Sequence, residues 1–270
     1  MDIRTSLLQL LPLATLIGSS VMAQSTSFEN EKPTCNNYVF NTYMYLTIAI
    51  SLIIVLTIFF NAIMPNYIMT IYNLGLIMII LVLIIQIILL FALRYLINTI
   101  SPLEIKKKIA VWVAFITNLA LFILPTIQFA IMAEQSGLII STILLVLLMV
   151  VVISAVVFLN PELISTQGMR PYLLVGLIGL AIGYIVPIFA CLVTNCNNSF
   201  MNNWIYYVAI IAVIIFCFVL IYHTKQVIEN SEKCKTPMDA DYIKESTNLF
   251  MTIVNIFLNL LRARQGRRIR

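Results

Sequence analysis

Charge is what this 270-residue sequence has least of. Only 10% of its residues are Asp, Glu, Lys or Arg, against about 25% in an ordinary soluble domain. Hydrophobic residues make up 61%, and the mean hydropathy is +1.02. A water-soluble globular protein of this size is excluded, because it has too little polar surface to cover so much apolar surface. Disorder is excluded by the same numbers, since it needs low hydrophobicity and high charge. With one His and five irregularly spaced Cys, the chain offers neither a disulfide scaffold nor a zinc site. No nucleophile–base pair stands out, so an enzyme is not expected, and neither is a cofactor or a bound metal. The remaining class is a polytopic membrane protein.

About 20 apolar residues are needed to cross roughly 30 Å of hydrocarbon as a helix. Six runs qualify, at 43–63, 70–93, 109–132, 137–159, 171–193 and 203–222. A seventh run, 247–261, is shorter and rises about 22 Å at about 1.5 Å per residue. The expected fold is therefore all-α: a transmembrane helix bundle of six long spans plus a shorter C-terminal seventh helix, re-entrant or spanning. Three parts are expected: an N-terminal extension (1–38, cytosolic or signal-like), a membrane bundle (39–262) and a basic cytosolic tail (263–270). No loop is long enough to hold a soluble domain, so any activity belongs to the bundle or its short connections.

Basic residues choose the cytosolic side of a membrane. If the loops alternate, one side receives Arg94, Lys106, Lys107, Lys108, Arg170, Lys225, Lys233, Lys235 and Lys244, and the other receives neither Lys nor Arg. The first side is assigned to the cytosol. Despite the net charge of +5, these residues are read as topology signals and lipid contacts, not as a nucleic-acid surface. Val21-Met22-Ala23 before Gln24 fits a signal-peptidase site, but cleavage there would invert every loop against the charge bias. An uncleaved segment, on the membrane surface or unstructured, is preferred. Arg262, Arg264, Arg267, Arg268 and Arg270 favour a last helix that turns back to the cytosol. On the uncharged side, Asn197-Asn198-Ser199 is a sequon, and Cys191 and Cys196 are close enough in sequence to pair.

Acids within membrane spans are costly and mark function. All eleven acids, Glu245 among them, fall outside the apolar runs, so no buried acidic relay is expected. What stands out is a polar stripe. Asn248, Thr252, Asn255 and Asn259 recur at helical spacing on one face, with Leu249, Ile253, Ile256 and Leu260 opposite. Such a stripe faces protein or water, as interhelical hydrogen bonds or as the lining of a polar path. His223 is the one group that titrates near neutral pH, and it stands in Tyr222-His223-Thr224-Lys225 at the end of the sixth run. Gly179 and Gly183 form a small-xxx-small pair.

Tyr222-His223-Thr224, Asp241-Tyr242-Ile243 and the run from Asn248-Leu249 through Asn255 to Leu260-Leu261 resemble the transmembrane Bax inhibitor motif family. The family pattern is Tyr-Asp-Thr, then Glu-Tyr-Ile, then Asn-Leu-x-x-Asp-x-x-Asn-Leu-Phe-x-x-Leu-Leu. The likeness is specific over about 222–261 and co-linear from about 39 onward. It implies a helical bundle in endoplasmic reticulum or Golgi membranes, with the plasma membrane as an alternative. It also implies suppression of cell death through membrane-protein partners, and a calcium leak gated by two facing aspartates that share a proton. Here those positions are His223 and Thr252. A protonated His facing Thr would repel calcium, which wants oxygen ligands. The expectation is a death-regulating membrane protein acting on store calcium with altered pH gating. The residues expected to matter are His223 and Thr252 at the former latch, with Asn248, Asn255 and Asn259 lining or bracing the path. The alternative is a non-conducting membrane interaction protein, a divergent viral or parasite copy acting through helix-bundle partners.

Overall fold

A computed structural model describes residues 3–29, 32–73, 75–132, 136–163, 166–194 and 198–268. The chain is almost entirely helical. In order it forms α1 (Ile3–Ser27), a hairpin of β1 (Phe28–Glu29) and β2 (Lys32–Pro33), α2 (Tyr38–Ile63), α3 (Tyr67–Asn73), α4 (Leu76–Thr99) and α5 (Ile105–Met132). These are followed by α6 (Ser136–Leu159), a 3-10 turn, α7 (Thr166–Thr194), α8 (Asn198–Lys233) and α9 (Tyr242–Arg268). Among the described residues six helices are long and apolar enough to cross a membrane: Tyr38–Ile63, Ile80–Thr99, Ile105–Met132, Gly137–Leu159, Gly168–Val186 and Asn203–Lys233. These are the six apolar runs of the sequence, and the chain is an integral, multi-pass membrane protein. Leu81, Ile84, Ile88, Phe91, Leu144, Leu148, Val151, Leu174, Val175 and Ile178 are exposed, which in water would be untenable and in lipid is the expected solvation.

The helices fall into two compact units, residues 1–135 with 230–250 and residues 136–229 with 251–270. In the first, α1 lies antiparallel along the first half of α2. Thr15 and Ser51 share a hydroxyl hydrogen bond of 2.9 Å, and Thr26 Oγ1 donates to Asn41 Oδ1 at 2.7 Å. The N-terminal residues, expected on the membrane surface or unstructured, therefore form a helix whose hydroxyls match polar groups of α2. Amides join α5 to its neighbours. Asn118 Nδ2 donates to the Gln86 carbonyl at 3.2 Å, and Gln128 Nε2 donates to Asn61 Oδ1 at 3.1 Å and to the Met64 carbonyl at 2.7 Å. Gln128→Leu is expected to cost about 1 kcal/mol, measured as a drop in thermal stability in detergent. The core of this unit is aromatic. Tyr242 stands edge-on to Tyr38 with ring centroids 5.4 Å apart, and Tyr45 lies between Tyr242 (6.1 Å, stacked) and Trp112 (5.9 Å, edge-on).

In the second unit α7 packs on α8 through Leu180, Val208 and Ala212, with Tyr184, Ile215 and Phe216 around them. A Cβ added to Gly176 would sit 3.5 Å from Ile215, and one added to Gly183 would sit 3.5 Å from Val208. Gly179 has nothing within 4 Å of that position. The close-packing glycines are thus 176 and 183, two turns apart, and the expected partner at 179 is not one of them.

The last helix differs most from expectation. The apolar run at 247–261 is the middle of a 27-residue helix that continues unbroken to Arg268, about 40 Å long. No reversal occurs among the described residues. The bundle itself accommodates the arginines: the Arg262 guanidinium lies 5.7 Å from the centre of the Tyr184 ring, and Arg264 Nη1 donates to Thr142 Oγ1 at 3.0 Å. A cation held by an aromatic face and a hydroxyl need not return to the headgroups to be satisfied. The sequon and the pair Cys191 and Cys196 lie outside the described side chains.

Candidate functional site

The expected latch residues sit on α8 and α9. His223 is well inside α8, which runs on to Lys233. Its Nδ1 is 3.3 Å from Gln226 Oε1, and its ring is edge-on to Tyr222. Thr252 is buried on α9 at 3% exposure. The amide groups of Asn255 and Asn259 donate to the carbonyls one turn back, Met251 and Asn255, both at 2.8 Å. Asn259 Oδ1 also accepts the Tyr184 hydroxyl. Both amides are hydrogen-bonded within their own unit, Asn255 along α9 itself and Asn259 also across to Tyr184 on α7. The opposite face, Leu249, Ile253 and Ile256, is buried as well, so α9 is enclosed on both sides.

Asn248 belongs to a different constellation, in the first unit. Arg94 Nη2 donates to Asn248 Oδ1. The spacing of apolar runs puts Arg94 in a loop, but it lies inside α4. Its long apolar stem lets α4 continue as a span while the guanidinium turns inward to protein acceptors. One turn before Asn248 is Glu245, outside the apolar runs as the sequence reading has it, yet only 4% exposed. Its Oε1 accepts a 2.9 Å hydrogen bond from Asn230 Nδ2 at the end of α8. Its Oε2 is buried without a hydrogen-bond partner, as is Arg94 Nη1. Burial pushes the Glu245 carboxyl above its ordinary value, and the neighbouring charge of Asp241 adds to this. Lys244 and the Asn230 and Asn248 amides pull the other way.

A second buried charge supports the start of α9. Lys108 Nζ, on a side chain only 1% exposed, binds Asp241 Oδ2 at 2.7 Å and the Ile100 carbonyl at 2.8 Å. Asp241 Oδ1 accepts the Lys244 backbone N–H at 3.2 Å, capping α9. Tyr38, Asn98, Asn230, Cys234, Asp241 and Glu245 are among the residues lining an open cleft of about 360 Å³ here.

The sequence did carry a signal for part of this. Asp241 and Glu245 extend the stripe of 248, 252, 255 and 259 backward at the same three-and-four spacing. The polar face therefore begins two turns earlier than the apolar run does. No group of three or more His, Cys, Asp or Glu able to hold a metal occurs among the described residues.

A disulfide joins Cys35 to Cys234, across 199 residues of sequence. The irregular Cys spacing gave no sign of it. Cys217 remains a free thiol.

The model of one protein family, described as inhibitor of apoptosis-promoting Bax1, matches residues 35–268. No curated protein matches the chain.

Proposed function

The chain belongs to the Bax inhibitor family of cell-death regulators, and from that premise we propose that it suppresses cell death from endoplasmic reticulum or Golgi membranes by altering store calcium, without enzymatic chemistry. One observation carries the reading. The family frame is kept around both latch positions, in Tyr222, Thr224, Asn248 and Asn255, while the latch residues themselves are His223 and Thr252. Two carboxylates that share a proton can attract calcium and respond to pH. An imidazole and a hydroxyl supply no negative charge, and protonating the imidazole adds a positive one. Any calcium path here therefore conducts less than the family's di-aspartyl path and does not open or close through a shared proton.

The test is calcium release from reticulum vesicles carrying the wild-type protein or the His223→Asp, Thr252→Asp double variant, alongside survival of cells challenged to die. The expected result is protection by the wild type, with small calcium release, and larger, pH-dependent release by the double variant. No release from either form and no effect of either on survival would refute the proposal.

A second reading has its own support. The Asn255 and Asn259 amides are satisfied by helix carbonyls and by Tyr184, which suits a brace more than a water-filled lining. On that reading the chain is a non-conducting protein that acts through membrane partners. Protection from death by a purified form that passes no ion in either variant would select it.

A further inference from the structure

We propose that Cys35–Cys234 is a reversible thiol–disulfide site on the cytosolic face, exchanging with low-molecular-weight thiols. The inference stands apart from the calcium reading and begins with topology. Cys35 precedes α2 and Cys234 follows α8. Six membrane-crossing helices lie between them, an even number, so both sulfurs emerge on the same side, as their bond requires. That side carries the basic residues at the helix ends, including Lys106 and Lys107 at the start of α5, Lys225 near the end of α8 and Lys244 at the start of α9, and the charge rule makes it cytosolic. A disulfide facing the cytosol is not a maintenance-free staple. The thiol pool there reduces ordinary disulfides, and those that form are transient or redox-sensing.

The local chemistry favours exchange. Cys35 and Cys234 are both half-buried, open enough for a small thiol to approach. Cys234 stands between Lys233 and Lys235, both exposed. Positive charge on the two sequence neighbours of Cys234 favours its thiolate, and the sulfur that leaves as the more stable thiolate leaves faster. An incoming thiolate therefore attacks the Cys35 sulfur. A mixed disulfide forms at Cys35, the Cys35–Cys234 bond breaks, and its electron pair departs on Cys234. A second small thiolate then attacks the sulfur of the first, releasing Cys35 as a thiolate and the small molecule as its own disulfide. Two electrons pass to the protein, and two small thiols are oxidised to one disulfide. The reverse sequence, driven by the oxidised small disulfide, closes the bond again.

The bond sits where closing it matters. It ties the segment that follows the β hairpin to the loop between α8 and α9. That loop is ordered by Asp239, whose Oδ2 accepts the Thr236 N–H at 2.9 Å and the Lys235 N–H at 3.2 Å. Cys234 also lines the cleft that holds Asn230, Asp241 and Glu245. Opening the bond frees the N-terminal connection from this loop while Lys108–Asp241 and Asn230–Glu245 remain to hold α9.

The first experiment uses the full-length protein in intact cells. Thiols are trapped with a membrane-permeant maleimide of high mass, before and after a pulse of a thiol oxidant and after its washout. The expected result is two additional labels in resting cells, lost on oxidation and regained after washout, with Cys35→Ser and Cys234→Ser each abolishing the oxidant response. A pair fully oxidised in resting cells and untouched by a permeant reductant overturns the proposal, and so does a pair that stays reduced through the pulse. The second experiment needs no cysteine variant. Purified wild-type protein is reduced by glutathione, and its melting temperature should fall by roughly 5–10 °C on reduction. Lys233→Gln with Lys235→Gln should slow reduction about threefold. A rate unchanged by the lysine substitutions overturns the assignment of Cys234 as the leaving sulfur.

Discussion

Asp241→Asn is expected to destabilise the protein by about 3 kcal/mol or more, a larger effect than Lys108→Met at the other end of the same pair. Asparagine keeps the cap on α9, since its side-chain oxygen replaces the carboxylate at the first turn. What it removes is the counter-charge of Lys108. That ammonium is 1% exposed, whereas the Asp241 side chain is 18% exposed. The buried partner has only the Ile100 carbonyl left when Asp241 is neutralised, and the cost of an uncompensated buried charge falls on the fold. An aspartate left without its lysine still reaches water and still accepts the Lys244 N–H. The double variant Lys108→Met, Asp241→Asn should recover most of the loss, because two neutral groups need no pairing. Thermal unfolding in detergent measures all three variants, and the buried geometry predicts little dependence on salt. Equal losses for the two single variants, or additive losses in the double, would show that the pair is not a desolvated unit.

The spans and the charged contacts were not equally legible in the sequence. A span is a local property: 20 apolar residues in a row are visible without knowing any neighbour, and all six runs became helices. The polar stripe on α9 was equally local, being one helix face read at 3.6 residues per turn. Arg94 was placed in a loop, and the burial of Glu245 went unseen, because a window of hydropathy ends where a charge begins. It cannot tell that a charge at the edge of a span turns inward onto Asn248 or Asn230. The disulfide was invisible for a different reason. Its two sulfurs are 199 residues apart, and their proximity depends on an even number of crossings together with the placement of α2 against the α8–α9 loop. The full length of α9 was not legible, because the apolar run ends at Leu261 while the helix carries its arginines on to Arg268. Tyr184 and Thr142 offer Arg262 and Arg264 partners.

Arg94→Met is expected to cost about 1.5–3 kcal/mol for the lost charge-assisted hydrogen bond to Asn248, plus a further loss that depends on pH. The second part comes from Glu245, whose charge lies within electrostatic reach of Arg94. The Glu245 carboxyl is raised above its ordinary value of 4.5, first by burial and then by Asp241. Below that ordinary value Glu245 is protonated in both the folded and the unfolded chain, and its full contribution to stability is present. As the pH rises, the unfolded chain loses its proton first. Stability therefore falls between 4.5 and the raised folded value, then levels off. Glu245→Gln removes this slope, and its stabilising effect should be absent in acid and grow toward neutrality. Removing Arg94 takes a favourable positive charge from beside Glu245, so the slope steepens and continues to higher pH. In Arg94→Met with Glu245→Gln the slope disappears and only the Asn248 loss remains. Melting temperatures of the four forms across the acid-to-neutral range separate the two parts, because the hydrogen bond to Asn248 does not titrate and Glu245 does. A Glu245→Gln effect of the same size at every pH would mean that the buried carboxyl carries no proton-linked energy.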